Sequence, residues 1–96
     1  MIRVLIVDDS LFIRTILRDL LKYSPDIEIV GTAVTGIDAL AKIADLKPDV
    51  VTLDIEMPRM NGLETLAALQ KERVRPKVIV LSTLTSRQAD MTHQAL

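Results

Sequence analysis

Chemistry in this sequence collects where apolar runs meet acids. Asp8 and Asp9 follow the run at residues 2–7, with Ser10 next. Asp54 follows the run at 50–53 and leads into Ile55, Glu56, Met57 and Pro58, with Gly62 a few residues on. Ser82 and Thr83 follow a fourth run, at 78–81. If the runs are neighbouring strands, three carboxylates (Asp8, Asp9 and Asp54) converge. Crowding them brings like-charge repulsion, and bare burial raises carboxyl pKa values. Something positive must compensate, and no basic residue falls inside the cluster. Mg²⁺ suits an all-oxygen, partly hydrated site, because it keeps several waters and takes one or two carboxylates plus phosphate oxygens. A carboxylate beside such an ion can itself be a nucleophile and form an aspartyl phosphate. Plainer readings stand beside these. Asp8 and Asp9 also suit the positive end of a helix capped by Ser10. Asp54 also reads as a loop acid, although Pro58 and Gly62 around it make a loop of defined backbone. Ser82 also reads as a turn or cap hydroxyl.

The rest of the composition removes competing chemistries. The chain has 96 residues, enough for one domain or part of one. It has no cysteine, so thiolate metal sites and cysteine nucleophiles are excluded, and its single histidine, His93, leaves almost nothing for a His-based metal site or a Ser/His/Asp triad. Twelve basic residues against thirteen acidic ones leave a net charge of −1, which argues against a nucleic-acid surface that neutralises many phosphates. Only Phe12 and Tyr23 are aromatic, so no stacking platform for single strands is expected. The first apolar run is too short for a signal peptide and is stopped by two acids. No stretch approaches the roughly 20 apolar residues of a membrane span.

The elements that must position the acids follow from periodicity. Residues 2–7, 27–31, 50–53 and 78–81 are short, β-branched and nearly continuous apolar runs, the pattern of strands buried on both faces. Helical periods lie between them. Ile13, Ile16, Leu17, Leu20 and Leu21 form one apolar face, with Arg14, Arg18, Asp19 and Lys22 on the other. Ile37, Leu40, Ala41 and Ala44 form a second face, and Leu63, Leu66, Ala67 and Leu69 a third. Pro25, Pro48 and Pro76 stop each helix before the next strand. The expected order is β-α-β-α-β-α-β with a last helical stretch over about 86–96. That alternation predicts an α/β fold with a doubly wound parallel sheet. In such sheets ligands bind at the carboxyl ends of the strands, where the acids fall.

Val7-Asp8-Asp9-Ser10, then Leu53-Asp54-Ile55-Glu56-Met57-Pro58 with Gly62, then Leu81-Ser82 resemble the receiver domains of two-component response regulators. The run from Pro48 to Pro58, Leu81-Ser82-Thr83-Leu84-Thr85 and residues 27–33 look most like the regulatory domain of chemotaxis protein-glutamate methylesterase. The resemblance covers the whole chain as a single receiver domain, 1–96. It implies a flavodoxin-like sheet of order 2-1-3-4, with the family's fifth strand and helix, and the lysine at that strand's end, not reached by this chain. On that account the domain reads as C-terminally incomplete. It implies that Asp54 is the phosphoryl acceptor. It implies that Asp9 ligates Mg²⁺ directly, Asp8 mostly through water, and the Glu56 carbonyl completes the protein's share. Ser82 is implied as the switch hydroxyl, the backbone N–H groups of Ile55 and Thr83 as phosphoryl contacts, and Met57, Pro58 and Gly62 as the residues shaping the loop.

The partners implied are a chemotaxis histidine kinase, receptor tails and a methylesterase effector domain whose catalytic residues are not in this chain. A cytoplasmic location follows, with no nucleic acid and no membrane insertion. Self-association through an exposed fourth strand is expected of the chain alone. Two other readings compete. A haloacid-dehalogenase-like phosphatase also uses a strand-end Asp with Mg²⁺. It places that Asp on the first strand and wants a second Asp where Glu56 stands. A stand-alone or degenerate receiver would act only as a protein-binding module, which the missing lysine favours if residue 96 is the natural end.

Overall fold

A computed structural model describes residues 1–55, 57, 60–72 and 75–81. The elements run β1 (Ile2–Val7), α1 (Leu11–Leu21), β2 (Ile27–Ala33), α2 (Gly36–Leu46), β3 (Val50–Asp54), α3 (Gly62–Leu69) and β4 (Lys77–Leu81). The four strands are parallel and ordered β2-β1-β3-β4, the flavodoxin-like order expected. The runs read as strands all form strands. β2 continues two residues past its expected end, β3 takes in Asp54, and β4 begins one residue early at Lys77. The sequence stretch 86–96, with His93, lies outside the described residues, as do Glu56, Pro58, Ser82 and Thr83.

Register brings the strand centres together. Leu5 pairs with Val51, and Val51 with Val78. Side chains alternate along a strand, so Leu5, Val7, Val51 and Leu53 share one face. There they pack with Ala33, Ala39, Ile43, Met57 and Leu69 in one buried cluster. α2 and α3 therefore cover this face. α1 lies against β1 and β2 and adds nothing to that cluster, which leaves it the opposite face, where Val4 and Ile6 point. No helix among the described residues is long and apolar enough to cross a membrane.

The helices form where periodicity places them, but all three expected buried faces are wrong in detail. In α2 the buried residues are Gly36, Ala39 and Ile43, with Leu40 and Leu46 partly buried against them. Ile37 is 59% exposed, and Ala41 and Ala44 are exposed too. Apolar residues stand at 37, 39, 40, 41, 43, 44 and 46, so two helical stripes satisfy the same period. Only the sheet decides which is covered. In α1 the half-buried stripe is Ile13, Leu17 and Leu21, while Phe12, Ile16 and Leu20 point outward. In α3 Thr65 and Leu69 are buried, whereas Leu63 and Ala67 are exposed.

The ends of the helices are set by local chemistry. Ser10 caps α1 by accepting the Ile13 N–H, and Thr35 caps α2 by accepting that of Asp38. α2 stops at Lys47, whose φ of 49° is left-handed, one residue before Pro48. β4 is the edge strand among the described residues. It is not buried on both faces as its composition suggested: Ile79 is 52% and Val80 42% exposed.

Candidate functional site

The site is built from the residues that leave β1 and β3 at their carboxyl ends. Val7 pairs with Leu53, so Asp8 and Asp54 stand side by side one step further on. The Asp8 N–H donates to the Ala33 carbonyl at 3.0 Å, which holds the β1 end against β2. Asp9 follows in the loop and is exposed. Asp8 and Asp54 are buried, at 1% and 2% exposure. Carboxylate oxygens of Asp8, Asp9 and Asp54 all lie within 4.8 Å of one another. The three residues singled out from sequence thus meet, with two acids at the floor and one at the mouth.

The helix-cap reading of Ser10 holds, and it leaves Asp8 within the acidic cluster. Ser10 is the cap of α1, and its own N–H donates to Asp8 Oδ1 at 2.8 Å. The other carboxylate oxygen, Oδ2, is buried and receives no hydrogen bond from any described residue. Burial pushes the Asp8 carboxyl above its usual range, and the charges of Asp54 and Asp9 push the same way. The Ser10 N–H and Arg14 pull it back.

Arg14 corrects the expectation that no cation stands near the acids. It is half-buried rather than on an outer face, and its guanidinium donates to the Asp8 carbonyl at 2.8 Å. A signal was present in the sequence: Arg14 lies one turn after Ser10, on the helix whose cap holds Asp8. One guanidinium does not neutralise three carboxylates. Lys77 stands at the opposite end of β4, paired with Val50, and is remote from the acids.

The donor set fits a hard divalent cation. All the ligand atoms are oxygens, none is imidazole or thiolate, and a buried carboxylate oxygen lacks a hydrogen-bond donor. Asp8 and Asp9 are the residues that would hold the ion, with Asp54 beside it. The loop after Asp54 is firmly based. The Gly62 N–H donates to the Ile55 carbonyl at 2.8 Å, and a Cβ on Gly62 would fall 2.3 Å from the Asp54 carbonyl oxygen. Glycine is required there by close approach, since φ is not positive. Met57 is buried in the core cluster, which anchors the same loop from below.

A cavity of about 880 Å³ opens between α2 and α3, lined by Leu40, Ile43, Val50 and Leu69 among others. None of Asp8, Asp9 and Asp54 lines it.

The profile of the response regulator receiver domain family matches residues 4–96. A protein-glutamate methylesterase/protein-glutamine glutaminase of Methanospirillum hungatei is 56% identical over all 96 residues, and the chain covers 28% of that protein. The corresponding Thermotoga maritima protein is 47% identical over 95 residues, and the chain covers 27% of it. The chain therefore spans little more than a quarter of the length of these relatives. Among solved structures, the response regulator domain of Thermotoga maritima CheB superposes with a TM-score of 0.82 at 46% identity, covering 99% of this chain and 70% of that one. CheY from a CheX-CheY-BeF3-Mg complex of Borrelia burgdorferi superposes with a TM-score of 0.79 at 34% identity, covering 92% of this chain and 66% of that one.

Proposed function

Because the chain belongs to the response regulator receiver domain family, we propose that it accepts a phosphoryl group on Asp54 in the chemotaxis branch of that family. The observation that carries the reading is the convergence of Asp8, Asp9 and Asp54 at the carboxyl ends of adjacent parallel strands. The donor is a phosphohistidine of a chemotaxis histidine kinase. A carboxylate oxygen of Asp54 bonds to phosphorus as the P–N bond breaks, which leaves an acyl phosphate on the chain. Mg²⁺, when bound, shields the acids from the incoming phosphoryl oxygens. Asp8 and Asp9 would hold that ion, and by the family resemblance the Glu56 carbonyl would add a ligand. By the same resemblance the Ile55 and Thr83 N–H groups would meet the phosphoryl oxygens and Ser82 would be the switch hydroxyl, although Ser82 and Thr83 lie outside the described residues. Met57, Pro58 and Gly62 hold the loop.

The effector is a methylesterase domain that acts on receptor tails in the cytoplasm, and phosphorylation relieves its inhibition. The kinship with methylesterase receivers supports this, while the Mg²⁺ named for the Borrelia complex supports the ion alone.

The test uses the protein expressed from its complete reading frame. Offered a small phosphodonor with Mg²⁺, it gains one acyl phosphate, trapped by reduction and located by mass spectrometry. Label on Asp54 that disappears in Asp54→Asn supports the reading. Label that persists in Asp54→Asn, or arises first on Asp9, overturns it. A chain that stays unlabelled while binding its effector equally with and without donor is instead a protein-binding module.

A further inference from the structure

The loop that leaves Asp54 is fastened to a part of the molecule that touches no carboxylate of the site. Its base closes through Gly62 N–H to the Ile55 carbonyl, and the Asn61 capping box starts α3. Its far side is held by α2. The N–H of Gly36, the first residue of α2, donates to the Met60 carbonyl at 3.1 Å. This N–H is one of the donors a helix start leaves without an intrahelical partner, and Thr35 spends its hydroxyl on Asp38 instead.

The approach is close enough to exclude a side chain. A Cβ on Gly36 would fall 2.1 Å from Thr65 Oγ1, 2.6 Å from the Met60 carbonyl oxygen and 2.7 Å from Met60 Cγ. Thr65 is fully buried, and its hydroxyl donates to the Asn61 carbonyl at 2.8 Å. A continuous set of contacts thus runs from Gly36 through Met60 and Thr65 to Asn61 and Gly62, and from Gly62 onto the carbonyls of Asp54 and Ile55.

We infer that Gly36 and Thr65 are positioning residues that set the ion affinity of the acidic pocket by holding the loop after Asp54 against the start of α2. The inference rests on the reading of Asp8, Asp9 and Asp54 as an ion site. Neither residue touches the ion. Each acts through the loop, so both affect affinity without changing the pocket's charge. The first turn of α2 becomes an element through which contacts on that side of the molecule reach the site.

The experiment is a titration with Mn²⁺ or Mg²⁺, followed by amide shifts and calorimetry, on the protein expressed from its complete reading frame. Gly36→Ala is expected to weaken the ion by about threefold or more, the lower part of the range found for couplings between linked elements. Leu46→Val loosens the far end of α2, beside Gly31, and it is expected to lower the melting temperature with unchanged ion affinity. Thr65→Val removes the hydroxyl and weakens binding, while Thr65→Ser keeps the hydroxyl and restores it. If Gly36→Ala does not fold, the Thr65 pair carries the test. Wild-type affinity in Gly36→Ala, or equal affinities in Thr65→Val and Thr65→Ser, overturns the inference and leaves the ion site standing. A flat titration of the wild-type protein overturns both.

Discussion

Asp8 is the residue at which the site's two demands conflict. The fold buries its carboxylate and gives one oxygen a donor, the Ser10 N–H, while the other has none among the described residues. Desolvation first, and then the charges of Asp54 and Asp9, hold its pKa above the ordinary value of 3.8. The folded chain without an ion therefore binds this proton more tightly than the unfolded chain. Its stability from Asp8 is full below that ordinary value and declines as the pH rises through the raised one. Ion binding has the opposite sign, because the ion needs the carboxylate, so affinity falls as the pH is lowered into the same window. Asp8→Asn keeps an acceptor for Ser10 and removes the charge. At neutral pH without metal it is expected to be more stable, because a desolvated charge repelled by Asp54 and Asp9 is gone. Thermal melts across pH, with and without Mg²⁺, check both claims. An unchanged or lower melting temperature in metal-free Asp8→Asn would contradict the account.

At the scale of elements, α3 is the weak link and its start is the reason it forms. Eight residues are too few for a helix to be stable by propensity alone. Asn61 Oδ1 accepts the Glu64 N–H at 2.9 Å, and Glu64 Oε1 accepts the Asn61 N–H at 3.2 Å, a reciprocal capping box. Asn61→Ala is expected to cost about 1 kcal/mol, read as a lower urea midpoint with unchanged slope. A loss of less than a few tenths would show that packing of Thr65 and Leu69 alone holds the helix. Gly62 is the more sensitive neighbour, since any Cβ there meets the Asp54 backbone. The elements were legible in the sequence for a plain reason. Short β-branched runs, prolines at their entrances and hydroxyl or amide caps are local signals. The covered stripe of α2 was not, because Ile37-Ala41-Ala44 and Ala39-Ile43-Leu46 have the same spacing.

For the molecule as a whole, cover is unequal on the two faces of the sheet. α2 and α3 enclose the cluster around Leu5, Val51 and Leu53. On the other face, among the described residues, α1 packs mainly on β1 and β2, and Ile79 on the edge strand is half exposed. Phe12 and Leu20 add outward apolar surface on α1, at 71% and 64% exposure. Each large aliphatic side chain left in water forgoes about 1.5–3 kcal/mol of burial. Domains typically hold only about 5–15 kcal/mol in total. A polypeptide of residues 1–96 alone is therefore expected to associate with rising concentration through β4, whose run from Val78 to Leu81 has only Lys77 beside it. Light scattering over a dilution series checks this, and Ile79→Lys should reduce the apparent mass. A cooperative monomer at every concentration would show that β4 needs no partner chain.

The sequence by itself determined the alternation of strands and helices, because periodicity and breakers act over a few neighbouring residues. It also determined which acids stand at strand ends, since Asp8, Asp9 and Asp54 directly follow apolar runs. Their place in a known family followed from the same spaced motifs. That Asp8 and Asp54 are neighbours depends on β1 lying beside β3, which the tertiary structure decided through the register of Val7 with Leu53. It also decided that Arg14 turns inward to the Asp8 carbonyl, and that Gly36 must lack a side chain to meet Met60. Both depend on the distance between segments far apart in the chain. Local patterns carry no record of that distance, because it exists only once the sheet has brought the segments together.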